Sequence, residues 1–229
     1  MKIYTIKDLE IFERDEDGYL VCPNGDYTQI SIFNARCVFD EYCIFNDCCS
    51  FSEYCFFGKK CSFGGRCSFG EGCIFDDYCI FDEHCSFGER CSFGERCSFG
   101  KICSFSEGCV FGEYCNFREY CSFSEKCSFG EYSIFGENCT FGERCNLENN
   151  LKFENLEDRV ERVLKIDRIG IRKGCIYFFK TVNETYVRCG CFFGTIAEFE
   201  KHVNEIHKYN EQYRKEYIGA INYAKAILI

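Results

Sequence analysis

The chain has no tryptophan, one proline (Pro23), one methionine and three histidines among its 229 residues. It also lacks any apolar run near the roughly 20 residues needed to cross a bilayer. Its first stretch, MKIYTIKDLEIFERDEDGYL, is charged throughout instead of carrying the apolar core of a secretory signal. No membrane association is expected, and a cytoplasmic location with reduced thiols follows as the default. An excess of basic residues is missing too: 27 Lys and Arg stand against 37 Asp and Glu, for a net charge of −10. That charge divides as −4 over residues 1–26, −8 over 27–153 and +2 over 154–229. The acidic middle argues against direct DNA binding and suits solubility, or a protein partner that is itself basic or nucleic-acid-binding.

What the chain has in excess is cysteine (23 residues) and phenylalanine (27 residues), and most of both share one period. Residues 85–105 read CSFGERCSFGERCSFGKICSF. Phenylalanine occupies every sixth position from Phe33 to Phe141, and cysteine every sixth from Cys37 to Cys145 with Ser133 the one exception. Of the 23 cysteines, 18 lie on this register; Cys22, Cys48, Cys175, Cys189 and Cys191 do not. Weaker hexads at Tyr27 to Ser31 and at Leu147, Leu151 and Phe153 extend the run to 21 hexads, Tyr27 to Lys152.

A helix cannot produce this, because positions six apart fall on different helix faces. In an extended segment, C-S-F places Cys and Phe on one face and Ser on the other. G-E-R then supplies a bend, with Gly, Ser, Asp or Asn where the backbone is expected to need freedom. A short strand and a corner, repeated, make a coil, and stacked coils pair their strands about 4.8 Å apart.

This pattern resembles the hexapeptide repeat of left-handed parallel β-helices, in which three hexads form one triangular coil of 18 residues. The resemblance implies a mainly β fold: a left-handed parallel β-helix of about seven triangular coils over 27–153, preceded by a capping segment (1–26). It departs from the family in using Phe for the usual Ile, Leu or Val and Cys for the usual small residue. Stacked rings with cysteine as a compact hydrophobe is the expected packing. A disulfide ladder conflicts with the parallel direction of in-register side chains and with a reducing compartment. A thiolate metal store conflicts with thiols facing a dry core that holds no cation to ionise them.

Acyltransferases of the hexapeptide type use a histidine base beside a loop extruded from the coils. Here no loop interrupts the hexads, and the repeat's one histidine, His84, stands at a corner. The related zinc carbonic anhydrases need several histidine ligands, which the repeat lacks. Enzymatic activity is therefore not expected, nor is a cofactor.

Sorting outward positions by the 18-residue period gives three faces and their corners. One face is polar, with Ser50, Ser68, Ser86, Ser104, Ser122 and Thr140. A second carries Val38, Phe56, Ile74 and Val110, and is the expected oligomer or docking face. The third alternates Ile44, Ser62, Ile80 and Ser98, then Asn116 and Ile134. One corner stacks Glu53, Glu71, Glu89, Glu107, Glu125 and Glu143, with Arg90, Lys126 and Arg144 placed to compensate. It reads as a solvated edge that blocks aggregation, or as an acidic ruler for a basic partner. Another corner runs Tyr42, Lys60, Tyr78, Arg96, Tyr114 and Tyr132. It reads as internal Tyr–Arg stacking, or as a platform on which a nucleotide base could stack.

The N-terminal segment is expected to lay one or two strands over the first coil. Residues 154–229 read as a small α+β domain: a helix over 156–164 with Leu156, Val160, Val163 and Leu164 inward, then three strands in RIGIR, CIYFFKT and YVRCGCFF. Thr195 and Glu198 form a capping box opening a helix with Ile196, Phe199, Val203 and Ile206 on one side. A last helix from about Glu211 carries Tyr213, Tyr217, Ile221, Ala224 and Leu228 in a stripe. Cys189, Cys191, His202 and His207 are the candidate metal ligands. Their spacing fits a ββα zinc finger poorly, with one residue between the cysteines and ten before the first histidine. Buried strand cysteines and surface histidines are the plainer reading.

From CPNGDYT through the CSFG run to YVRCGCFFGTIAEFEKHV, the chain resembles a group of uncharacterised Phe/Cys-hexad proteins of Firmicutes and their phages and mobile elements. The resemblance implies a host-interaction or counter-defence role. The expected function is a non-enzymatic protein-binding or scaffold protein that self-associates. The alternatives are a hexapeptide-type acyltransferase and a nucleotide-binding sponge.

Overall fold

The structure is a computed structural model of the chain and describes all residues except 143–144, 148–150, 154–155, 157–158, 171–173, 191 and 229. It divides into two compact units, Met1–Leu147 with Phe153–Asn155, and Glu148–Lys152 with Leu156–Ile229.

The first unit is a parallel β-solenoid of about seven turns. Each C-S-F contributes a two- or three-residue strand, and the strands assemble into parallel sheets of eight, seven and seven. The 18-residue register is kept without slippage: Ser86 pairs with Ser68 on one side and Ser104 on the other. Three backbone N–H groups per hexad tie neighbouring coils together. Ser98 donates to the Cys79 carbonyl (2.9 Å), Gly100 to Phe81 (2.8 Å), and Arg96 in the opposite direction to Glu113 (2.9 Å). Strands this short persist because nearly every hexad repeats these bonds.

The interior is a lattice of rings. Phe99 stacks on Phe81 and Phe117 at centroid distances of 5.0 and 4.8 Å, with planes within 3° of parallel. It also meets Phe93 and Phe105 edge-on at 5.0 and 5.1 Å. Three stacked columns thus interlock by edge-to-face contacts, satisfying both favoured aromatic geometries at once. The N-terminal segment closes the top. Tyr4 stacks on Tyr27 at 5.0 Å, and Tyr27 stacks on Phe45, so the column ends under a ring instead of under water. The strand Leu20–Cys22 joins the first sheet beside Cys37–Phe39, as expected of a capping strand, and is preceded by a one-turn helix, Ile6–Leu9, which the sequence does not announce.

The bend departs from the sequence reading. The left-handed residue is not the glycine but the third residue of the bend, which holds φ near +60° at every corner from Tyr42 to Asn138. Only Gly72 and Gly108 are glycines there. The first bend position favours glycine for space: a Cβ on Gly100 would lie 2.6 Å from the backbone of Asp82 and Glu83 in the adjacent coil. A left-handed L-residue costs roughly 1–2 kcal/mol, and a β-branched one is the least tolerant. Ile102, exposed at φ +61°, is such a residue. Ile102→Asn is expected to stabilise the protein by about 1 kcal/mol, because Asn tolerates this conformation. An unchanged or lower urea midpoint would contradict that assignment of strain.

The second unit is an antiparallel sheet in the order Val160–Ile169, Gly174–Thr181, Thr185–Cys189, Phe192–Thr195, with helices Ile196–Ile206 and Glu211–Leu228. Ile176, Phe178, Val187, Phe199, Val203, Ile221 and Ala224 share its core. The Thr195/Glu198 capping box is present. Three expectations fail. The helix expected over 156–164 is instead a strand from Val160 onward, with Val163 opposite Phe179 and Leu164 opposite Phe178. Its apolar spacing satisfied a helical stripe locally, but pairing with the apolar Gly174–Thr181 strand overrides that preference. Of the three expected strands, RIGIR gives only Arg168 and Ile169 to the end of this first strand, with Arg168 and Gly170 at positive φ and residues 171–172 outside the described ones. YVRCGCFF is two strands, split at Gly190 (φ +58°), with Cys189 opposite Phe192. Ile206, expected inward, is 62% exposed because it is the last residue of its helix.

Candidate functional site

The solenoid's exterior is fixed by its register, so each corner and face is a row with one residue per coil. On the glutamate corner, Glu53 accepts from Arg36 (3.1 Å), Glu71 from Arg90 (3.4 Å) and Glu107 from Lys126. The Lys126 ammonium holds the Glu107 carboxyl below its ordinary range. Exposed pairs of this kind contribute about 0–1 kcal/mol. Among the described residues Glu89 and Glu125 form no ion pair; Glu143 and Arg144 lie outside them.

The Tyr/Arg corner is brought together as one ladder. Arg96 lies between Tyr78 and Tyr114, 5.5 and 5.1 Å from their ring centroids, and donates to the Tyr78 hydroxyl at 2.5 Å. Lys60 lies over Tyr42 at 5.1 Å and donates to its hydroxyl at 3.1 Å. Tyr114 and Tyr132 stack at 5.0 Å. Ring faces along the ladder are occupied by neighbours, so a base stacking between them would have to displace a cation or pry a ring pair open.

On the Val38 face, Val38 and Phe56 are half-buried while Ile74 and Val110 are exposed. Tyr19 of the N-terminal segment packs edge-on against Phe56 at 5.4 Å. This covering ring, which sequence reasoning did not assign, accounts for some of the apolar face. Below it a groove of about 500 Å³ is lined by Phe56, Ile74, Asp76, Ser92 and Gly94. The Ile80 face carries a second groove, about 590 Å³, lined by Ser62, Ile80, Ser98 and Asn116 with Asp82, Glu83, Lys101 and Arg118 along its edge. The serine face is exposed from Ser50 to Thr140.

The described cysteines are all free thiols. From Cys55 to Cys145 each repeat thiol lies against the corner carbonyl one coil away, as in Cys97 to Asp76 at 3.5 Å and Cys121 to Gly100 at 3.4 Å. Cysteine therefore does more than fill space: its S–H faces a bend carbonyl that a methyl group could not satisfy. Ser133 turns instead to the Gly130 carbonyl of its own coil at 2.9 Å. The adjacent Cys109 thiol, with burial adding to it, pushes Cys91 up to about 12. Such thiols are poor nucleophiles and poor metal ligands at neutral pH.

The candidate metal ligands have separate packing partners. Cys189 is half-buried on its strand, the His202 ring leans on Phe192 at 4.9 Å, and His207 stacks on Tyr217 at 5.1 Å. Cys191 lies outside the described residues. Among the described residues no three His, Cys, Asp or Glu side chains converge as a metal would require. His84 is an exposed corner residue at φ +62°. No helix among the described residues is long and apolar enough to cross a membrane. Comparison with protein-family models, with curated proteins and with solved structures finds nothing that matches the chain.

Proposed function

We propose that the chain is a non-enzymatic protein-binding scaffold whose solenoid offers a row of carboxylates to a basic partner protein. The observation carrying this reading is the glutamate corner. Backbone register places Glu53, Glu71, Glu89, Glu107 and Glu125 in successive coils, and among the described residues Glu89 and Glu125 form no ion pair. The repeats as a whole carry −8. A preset row of charge needs no ordering on binding and favours rapid, salt-sensitive encounter with a basic surface. The coil is taken as left-handed, the hand of the hexapeptide helices it resembles. The likeness to Phe/Cys-hexad proteins of Firmicutes and their phages and mobile elements fits a host-interaction or counter-defence role in the cytoplasm.

The test uses a panel of purified basic, nucleic-acid-binding proteins at an ionic strength of about 0.15 M, where the screening length is about 8 Å. At least one is expected to bind the wild type. Reversing Glu71, Glu89, Glu107 and Glu125 to Lys together should weaken that binding at least tenfold, since like charges then oppose (~1.4 kcal/mol per factor of ten). Tyr78→Ala with Arg96→Ala should leave it unchanged. Binding that survives the charge reversal, or a panel with no binder, would defeat the acidic-edge reading. Nucleotide binding lost in the Tyr78/Arg96 variant would favour the sponge, and acetyl-CoA turnover by the purified chain would favour an acyltransferase.

A further inference from the structure

We infer that the Ile80 face is a self-association surface whose partner is a second copy of this chain. The copies would pack antiparallel about a two-fold axis lying between the coil of Ser62 and the coil of Ile80.

The face alternates in size. Ile44, Ser62, Ile80 and Ser98 stand in successive coils in strict register, with Ile44 and Ile80 exposed by 40 and 55% and the serines half-buried between them. A two-fold axis between the second and third of these coils sets Ile44 against Ser98 of the second copy and Ser62 against its Ile80. Within these four coils each knob then meets a gap. An axis passing through a coil would instead set each cluster of like charge against itself.

The flanking corners show the same symmetry in charge, independently of the isoleucines. A horizontal two-fold brings each corner opposite the same corner of the second copy, one coil exchanged for another. On one side Lys59 and Lys60 then face Asp76 and Asp77, while at the next pair of coils Glu95 meets Glu41 with Arg96 beside it. On the other side Arg66 faces Asp82 and Glu83, and Lys101 faces Asp47. These residues are exposed, apart from a half-buried Asp77. Lys59 and Lys101 already have partners in the chain, Asp77 at 2.9 Å and Glu119 at 3.0 Å. Arg66 and Glu83 form no ion pair among the described residues, although they stand in adjacent coils. Opposite charges on both edges of an alternating face favour an axis between coils over one passing through a coil.

The face is narrow. Seven strands at about 4.8 Å give a height near 30 Å, and a width of about 15 Å leaves each copy contributing well under the ~800 Å² of a stable interface. A reversible dimer in the micromolar range is therefore expected.

Sedimentation velocity on the full chain over a concentration series reads this directly. The wild type should move from 26.8 kDa toward twice that mass as concentration rises. Arg66→Glu and Glu83→Arg should each weaken association about tenfold or more, because each repeats twice across the two-fold. The double variant, with the charges exchanged, should restore it. A wild type that stays monomeric at its highest soluble concentration would overturn the inference. So would a dimer indifferent to Arg66→Glu, a double variant that fails to recover, or a dimer lost on Val110→Asp, which would place the contact on the other face.

Discussion

Raising the pH from about 8 to 11 is expected to unfold the solenoid in one steep transition, with thiolate absorbance appearing together with the loss of strand signal in circular dichroism. The thiols of Cys91 and Cys109 are each pushed up to about 12, by the neighbouring thiol of the next coil and by burial. Cys73 and Cys103 are pushed further in the same direction. In the unfolded chain a thiol titrates near 8.5. Below that pH both states hold their protons, and the stability conferred by the buried neutral thiols is fully present. Above it only the unfolded state releases protons. Stability then falls by about 1.4 kcal/mol per pH unit per thiol until the folded value is reached. Four such groups would together remove about 5–6 kcal/mol over one unit, within the 5–15 kcal/mol that holds a domain together. Thiolate absorbance that rises well before the strand signal falls would mean that the thiols titrate within the folded coil, and the argument would fail.

Phe99→Ala is expected to cost about 5 kcal/mol, read as a lower urea midpoint. The ring is 2% exposed and in contact with Phe81 and Phe117 above and below and with Phe93 and Phe105 at its edges. Removing it loses the transfer energy of a phenyl group and opens a cavity, about 3–5 kcal/mol together. Broken ring contacts add about 0.5–1.5 kcal/mol each where the pair is well formed. The neighbours cannot close the gap, because each is held in its own column by a backbone register common to the whole sheet. Phe99→Leu keeps most of the volume and should cost only about 1–2 kcal/mol. Because a solenoid coil contacts only its neighbours, the alanine variant should also lose cooperativity between its two halves. A cost below about 1 kcal/mol for alanine would show that the columns repack freely.

With the 18-residue turn supplied by the resemblance to hexapeptide helices, the period-six array of Phe33 to Phe141 and Cys37 to Cys145 was enough to specify a coil and which side chains face inward. Those properties follow from the pleat of an extended segment, where alternate side chains point to opposite faces. The rows on each corner and face were legible for the same reason, since an unbroken period turns chain position directly into height. Other features depended on groups distant in the sequence. The glycine of each bend answers to a backbone in the adjacent coil, and the left-handed residue falls where that coil leaves room. The thiols' carbonyl partners lie 21 residues back, and Tyr19 reaches Phe56 from outside the repeat. Within the C-terminal unit, Val160 to Ile169 had a helical stripe in isolation and became a strand only because Gly174–Thr181 offered it an apolar edge to pair with. Local periodicity determined the solenoid, where each coil contacts copies of itself; in the smaller unit, non-repeating long-range pairing decided the outcome, because the energy of burying both strands together outweighed the preference of either alone.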